Sequence, residues 1–530
     1  FSDGSGPFCG SDIDDGLRVS AEREKERNME RASGVLMPVS SLPGIVGIGT
    51  FGREAYDFVD FLARTHQRYW QVLPLTTTSF GDSPYQSFSA FAGNPYFIDI
   101  EDLVRLGYLT EQDLVVLPFE DDPENVDYGT LFRGHRDLLE RALPSFSAAP
   151  PEDFEEFCEA NGSWLEPYCE FMTVKEEFGL KAYYEWPQQY RSRGKASAAL
   201  CAKHPERMRY HQMTQYFFYR HWKSLKDYAN ERGVLIIGDI PIYVSRDSVE
   251  MWATPELFRV DATGNPTCVA GTPPDQFSST GQYWGNPIYD WAGMAEDGYA
   301  WWVERLRASL ELYDILRIDH FRGFESYWSV PFGAPDSSFG RWAKGPGSDV
   351  FDAVAEHLGE LPIIAEDLGF MTPEVIAMRE HTGFPGMKIL QFGFDSEGDS
   401  LDLPHHYVAN TVAYVGTHDN ETAMGWFKDT ATPDVREKAT RYLALAPGET
   451  VAQGCNRAIA ASVSDTCIFR MQDLLGLDNS ARTNTPSTVG KNWRWRMLPE
   501  AITPEVETEL SDLTTTYYRV PGTKEPELPK

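Results

Sequence analysis

The chain is short of positive charge, of organised cysteine and of long apolar runs, and each shortage removes a class of function. Lys plus Arg number 47 against 80 Asp plus Glu, a formal net charge of −33 over 530 residues. Such a surface repels phosphate backbones and anionic lipid headgroups, so neither nucleic acid nor a membrane is expected as a partner. The seven cysteines are scattered, odd in number and never spaced Cys-x-x-Cys. That pattern predicts reduced structural thiols rather than a disulfide framework or a thiolate metal site. No apolar run approaches membrane-spanning length. A Walker-type phosphate loop, a Gly-x-Ser-x-Gly elbow and a His-Glu-x-x-His motif are all absent. Gly47-Ile-Gly-Thr-Phe-Gly52 matches the dinucleotide fingerprint, but seven residues separate it from the strand it should follow at once. It is expected to be a loop on the rim of the fold.

Several features are abundant. Aromatic residues make up 13% of the chain, with 14 Trp and 25 Tyr. They fit a large aromatic core, stacking platforms for sugars, or both. The first 28 residues are polar and charged, with no apolar stretch of the kind a secretory signal needs, and are expected to form a tail. Residues 29–515 are expected to form one catalytic domain, and 516–530 a second tail.

Eight short apolar or β-branched runs lead into polar or glycine-rich loops: Gly34–Val39, Trp70–Leu75, Val234–Asp239, Tyr313–Asp319, Pro362–Asp367, Met387–Phe392, Val412–Thr417 and Thr466–Met471. Helix-like stretches lie between most of them. Strands alternating with helices imply a parallel sheet, and eight such units imply an α/β fold of the (β/α)8 TIM-barrel type. A doubly wound open sheet is the alternative. A bare barrel needs about 250 residues. Much of the excess, about 76–233, reads as a helix-rich subdomain inserted between strands 2 and 3. The short chain left after strand 8 leaves little room for a C-terminal β-domain.

Charged residues stand at the C-terminal ends of these runs, the edge on which parallel barrels do chemistry. Arg317 and Asp319 lie two positions apart and so share a strand face. Asp239 ends Val-Leu-Ile-Ile-Gly-Asp, Glu366 follows Pro-Ile-Ile-Ala, and Asp419 follows Val-Gly-Thr-His. A single strand-end carboxylate is usually a cap or a loop bond. Four converging on one mouth repel one another and call for a functional reason. Metal binding and glycosidic bond cleavage are the two chemistries that use paired carboxylates. No histidine ligand pattern accompanies them, and Arg317 beside Asp319 disfavours a cation there, so no metal or cofactor is expected. For sugar chemistry, Arg317 supplies the cation an ionised nucleophile needs. Glu366 is the candidate general acid, its pKa raised by a neighbouring carboxylate and poor hydration.

At these residues the chain resembles the 4-α-glucanotransferases of glycoside hydrolase family 77. The resemblance runs from about Arg31 to Arg496. It rests on Ser40-Ser-Leu-Pro-Gly44, Gly81-Asp-Ser-Pro-Tyr-Gln-Ser-Phe-Ser-Ala-Phe-Ala-Gly-Asn94, Gly238-Asp-Ile-Pro-Ile-Tyr-Val244, Gly281-Gln-Tyr-Trp-Gly-Asn-Pro287, Arg317-Ile-Asp-His-Phe-Arg-Gly323, Ala365-Glu-Asp-Leu-Gly369, Gly416-Thr-His-Asp-Asn420 and Arg482-Thr-Asn-Thr-Pro486. It implies a retaining double displacement on α-1,4-glucans and maltooligosaccharides, with glucose as an acceptor. Asp319 matches the nucleophile, Glu366 the acid/base and Asp419 the third carboxylate. It also implies that Asp239, Arg317 and His418 surround the reacting sugar. Tyr85 and Trp284 match aromatic contacts, and Ser83, Gln282, Asp395 and Asn484 match polar ones. The alternatives are an α-amylase-like retaining hydrolase and, in another class, a glucan-binding protein without activity; a dehydrogenase is more remote. Cytoplasm is the expected compartment, with the plastid stroma as an alternative. Three departures stand out: Met37-Pro-Val where relatives carry His-Pro-Thr, Gln276 on a loop expected to border the cleft, and Ser487 where Gly is frequent.

Overall fold

The computed structural model describes residues 29–78, 80–115, 122–274, 278–396 and 398–523. The expected polar tail of residues 1–28 lies outside these. Eight strands close a parallel barrel. In chain order the twelve strands of the molecule are β1 (Ala32–Leu36), β2 (Tyr69–Gln71), β3 (Leu235–Pro241), β4 (Cys268–Thr272), β5 (Gln282–Pro287), β6 (Ile315–Asp319), β7 (Ser326–Pro331), β8 (Arg341–Lys344), β9 (Ile363–Ala365), β10 (Gly386–Ile389), β11 (Thr411–Tyr414) and β12 (Thr466–Arg470). The barrel runs β1-β2-β3-β6-β9-β10-β11-β12 and returns to β1. These are the eight runs read from the sequence, each shifted or shortened by a few residues. They are buried on both faces, as strands wrapped by helices must be, and so appear in the sequence as near-continuous apolar runs.

The surrounding helices have local signals of their own. Thr372, Thr432 and Thr503 each precede a proline and cap a helix, their side chains accepting from Val375, Val435 and Val506 N–H. Threonine at the cap satisfies an orphan donor, and proline at the first helical position has no N–H to leave unpaired. Between β2 and β3 lie the helices of the expected insertion, including Tyr128–Ala148, Gly162–Glu177 and Pro205–Glu231. Aromatic side chains hold them together: Phe146 packs edge-on against Phe154 and Phe217 at ring separations of 4.9 and 5.5 Å. Trp70, Trp186, Trp222, Trp252 and Trp302 are fully buried. Much of the aromatic excess therefore builds core.

Two features differ from the expectation. First, β5-β4-β7-β8 form a separate antiparallel sheet, built from the chain after β3 and after β6. Second, within the expected tail of 516–530, which is described up to residue 523, the chain packs against the barrel at Arg519. Arg519 is fully buried and donates to the carbonyls of Ala460, Ala32, Asp465, Ile459, Ser462 and Ser464 at 2.7–3.4 Å. Ala32 opens β1, and Asp465 immediately precedes β12. The guanidinium thus sits at the N-terminal ends of β1 and β12. The six described cysteines are all free, five of them buried.

Candidate active site

Because the barrel strands are parallel, their C-terminal ends meet at one mouth. Asp239 and Arg317 are register partners on β3 and β6. Arg317 Nη1 donates to both Asp239 oxygens at 2.8 and 2.7 Å, and Nη2 lies 3.0 Å from Asp319 Oδ1. Asp239 and Arg317 are buried at 0% and 3% exposure, while the Asp319 side chain is 32% exposed at the cleft. Burial would lower the Arg317 pKa, but Asp239 and Asp319 more than offset it and hold it well above the usual range. Burial pushes the Asp239 carboxyl up to about 7 against the pull of Arg317. The Tyr85 hydroxyl also donates to Asp239 at 2.9 Å. Gly238, just before Asp239, has no side chain for a local reason. A Cβ there would lie 2.1 Å from the Tyr313 ring, which packs against the strand.

Glu366 follows β9 and is held by two amides. His320 N donates to Oε2 at 2.7 Å and Leu368 N to Oε1 at 3.0 Å. These bonds favour the charged form. Burial and the neighbouring Asp319 charge outweigh them and push the carboxyl up, so that it holds its proton above the usual glutamate range. His320 itself has a left-handed backbone, with φ 57°. Its ring meets Trp284 edge-on at 4.8 Å, and burial pushes its pKa down to about 4. The strand ladder continues around the pair: Glu366 N donates to Ile318 O and Phe321 N to Glu366 O, both at 3.1 Å.

The third carboxylate, Asp419, follows β11. Asn484 Nδ2 donates to its Oδ1 at 2.6 Å, and Arg482 Nη2 donates to its carbonyl at 2.7 Å. His418 Nε2 lies 3.5 Å from Asp419 Oδ1, and its ring stacks on Tyr85 at 5.2 Å. Burial lowers the His418 pKa. Burial raises the Tyr85 pKa, and the charges of Asp239, Asp319 and Asp419 push it the same way.

The structure thus gathers Asp239, Arg317, Asp319, Glu366, His418, Asp419, Tyr85 and Asn484 at one end of the barrel. Trp284 joins them through His320. Gln282 lies two residues earlier on β5 and accepts from Trp284 Nε1 at 3.1 Å. Ser83 accepts from Tyr85 N at 3.3 Å and so shapes the loop that presents the phenol. Asp395 is more remote. It ends the helix Leu390–Asp395 after β10, and its side chain accepts from Trp426 Nε1 at 3.0 Å. Gln276 lies outside the described residues. Ser487 has φ 65°, a left-handed backbone in which glycine is unstrained and serine is not.

Four residues at the mouth were not singled out from sequence. His320 and Arg482 lie inside motifs that had been noted. Arg470 ends β12 and donates to the carbonyls of Thr417 and Asn420, bracing the Asp419 loop; a charged residue at a strand end was the available signal. Trp493 lies 5.8 Å from both Tyr85 and His418, and no sequence pattern marked it. The glycines of Gly47–Gly52 serve packing: a Cβ on Gly49 would lie 1.9 Å from the Val39 carbonyl.

Glycoside hydrolase family 77, described as 4-alpha-glucanotransferase, matches residues 37–502. A 4-alpha-glucanotransferase of Streptococcus pneumoniae is 55% identical over 494 residues, covering 93% of this chain and 98% of the relative. The chloroplastic/amyloplastic 4-alpha-glucanotransferase of Arabidopsis thaliana is 38% identical, covering 97% and 91%. Among solved structures, the amylomaltase of Streptococcus agalactiae in complex with acarbose matches with a TM-score of 0.90 and 47% identity, covering 92% of this chain and all of that one.

Proposed function

This chain belongs to the 4-alpha-glucanotransferase family, glycoside hydrolase family 77, and we propose that it moves segments of α-1,4-glucans onto the 4-hydroxyl of glucose or another glucan. The observation that carries the mechanism is the pairing at the mouth. Asp319 is ion-paired with Arg317, while the neighbouring Glu366 is pushed toward its protonated form. A nucleophile and an acid with environments that differ in this way are what double displacement requires.

Glu366 gives its proton to the glycosidic oxygen as Asp319 attacks the anomeric carbon. The bond to the leaving glucan breaks, and a glycosyl ester forms on Asp319. Asp419, oriented by Asn484, binds ring hydroxyls more tightly as positive charge develops on the sugar. Glu366, now a carboxylate, takes the proton of an acceptor 4-hydroxyl. That oxygen displaces Asp319 and restores the original configuration. Retention requires the two carboxyl groups about 5–5.5 Å apart. Aromatic faces such as Trp284 favour a sugar over water as acceptor. The ligands on this reading are α-1,4-glucans and maltooligosaccharides. The compartment is the cytoplasm, or the plastid stroma given that the Arabidopsis relative is named chloroplastic/amyloplastic, and free buried thiols suit both.

Incubation with pure maltotriose tests the reading. Transfer yields glucose plus longer maltooligosaccharides at a constant number of reducing ends. A rise in reducing ends would support the hydrolase, and no turnover would support the binding protein.

A further inference from the structure

We propose that the connection between β10 and β11 carries a surface site for a divalent transition-metal ion, zinc above all, formed by Asp399, His405 and His406. Among the described residues this is the one group of three potential ligands whose donor atoms all lie within 4.8 Å of one another. His405 Nε2 lies 3.2 Å from Asp399 Oδ1, and His406 Nε2 lies 2.7 Å from Oδ2. The two imidazole centroids are 4.2 Å apart.

This convergence is not the default of the local backbone. His405 and His406 are consecutive in the short 3-10 turn Pro404–His406, where neighbouring side chains leave the axis about 120° apart. Two rings that start so far apart nevertheless aim the same nitrogen at one carboxylate. The far side of His405 is also fixed. Its Nδ1 lies 2.9 Å from the Tyr442 hydroxyl. An imidazole that binds a metal through Nε2 carries its proton on Nδ1 and donates it to an outer partner, and Tyr442 is in place to accept it. Tyr442 stands on the helix Pro433–Leu443. From the same helix Lys438 donates to the carbonyls of Gly393, Ser396 and Gly398 at 3.0 Å. The loop bearing Asp399 is therefore tied to the helix bearing the outer partner.

The donor set selects the ion. Two neutral imidazole nitrogens and one carboxylate oxygen suit zinc, nickel or copper, with water completing the shell. Calcium and magnesium prefer shells of six or more oxygens. Bonds of about 2.0–2.2 Å to each donor require only small side-chain movements from the present spacing. Binding replaces the two imidazole–carboxylate hydrogen bonds with three bonds to the ion, and the imidazole protons move to Nδ1 or to solvent. The bound ion joins Asp399 to His405 and His406 and stiffens the loop that follows Asp395.

Equilibrium dialysis of the full chain against zinc chloride, with calcium chloride in parallel, tests the site. One zinc ion per chain is expected, with calcium retained far more weakly. His406→Asn and Asp399→Asn should each weaken zinc binding at least about tenfold. Both should keep native maltotriose turnover and circular dichroism, which shows that they fold. Zinc should raise the melting temperature of the native chain and not of either variant. Absence of saturable zinc binding, equal affinity for calcium, or zinc binding that survives both substitutions would overturn the proposal. In the last case the ion is held elsewhere, for example by the free thiols.

Discussion

Arg317 and Arg519 are buried in the same barrel, at opposite ends, and they are satisfied in opposite ways. At the mouth, Arg317 faces the carboxylates of Asp239 and Asp319. At the floor, Arg519 is enclosed by six backbone carbonyls, and burial pulls its pKa below the ordinary arginine value. There two cations converge on backbone oxygens, since Arg31 also donates to the carbonyls of Ser462 and Ser464. The mouth gathers charges that no folding requirement would bring together. Asp319 and Asp419 there stay partly exposed, and His320 has a left-handed backbone. One end of the barrel is organised for stability and the other for chemistry.

Substitutions that separate the two ends test this division. Asp319→Asn removes the covalent route. It should cost more turnover than the about 10²–10⁴-fold lost with a general acid, measured as glucose release from maltotriose, with the melting temperature preserved. A large fall in melting temperature would place Asp319 in the structural half. Glu366→Gln should lower turnover by about 10²–10⁴-fold. The native pH profile sharpens the assignment. On the proposed assignment Glu366 is the acid, and with its pKa raised, activity should fall as pH rises through the raised value. That alkaline limb should disappear in Glu366→Gln when residual activity is followed against pH.

Arg519→Met makes the converse change. It removes six hydrogen bonds to buried carbonyls, four of which keep another donor, and should cost about 3 kcal/mol of stability, read by denaturant unfolding, with KM for maltotriose unchanged. A changed KM with stability intact would break the comparison from the other side. The smallest effect is expected at Ser487. Ser487→Gly relieves a left-handed serine, worth about 1–2 kcal/mol, partly offset by the greater freedom of glycine in the unfolded chain. A small rise in the unfolding midpoint is expected.

The barrel was legible because strands buried on both faces must be apolar throughout, so eight such runs stand out between amphipathic helices. Asp239, Asp319, Glu366 and Asp419 were legible because each follows such a run, where a parallel barrel places its mouth. The small sheet was not legible. Gln282–Pro287 and Arg341–Lys344 are short and partly exposed, the first carries a glycine and a proline, and the sheet forms only where β4 pairs with β7, more than fifty residues further along the chain. The positions of Trp284 and Gln282 follow from that sheet, so only resemblance pointed to them. Arg519 lies in a polar stretch, and nothing local tells an arginine bound for solvent from one bound for six carbonyls. The left-handed turn at His320 is imposed by its neighbours, since histidine does not favour it strongly enough to be read in advance.

That turn has a consequence for the geometry of the reaction. One peptide unit joins the residue carrying the attacking oxygen to the amide that clasps the proton donor. The gap between attacker and donor is therefore not left to two independently moving loops. It is bridged by the peptide between Asp319 and His320 and by one hydrogen bond to Glu366, so the two backbones that carry these carboxylates move together.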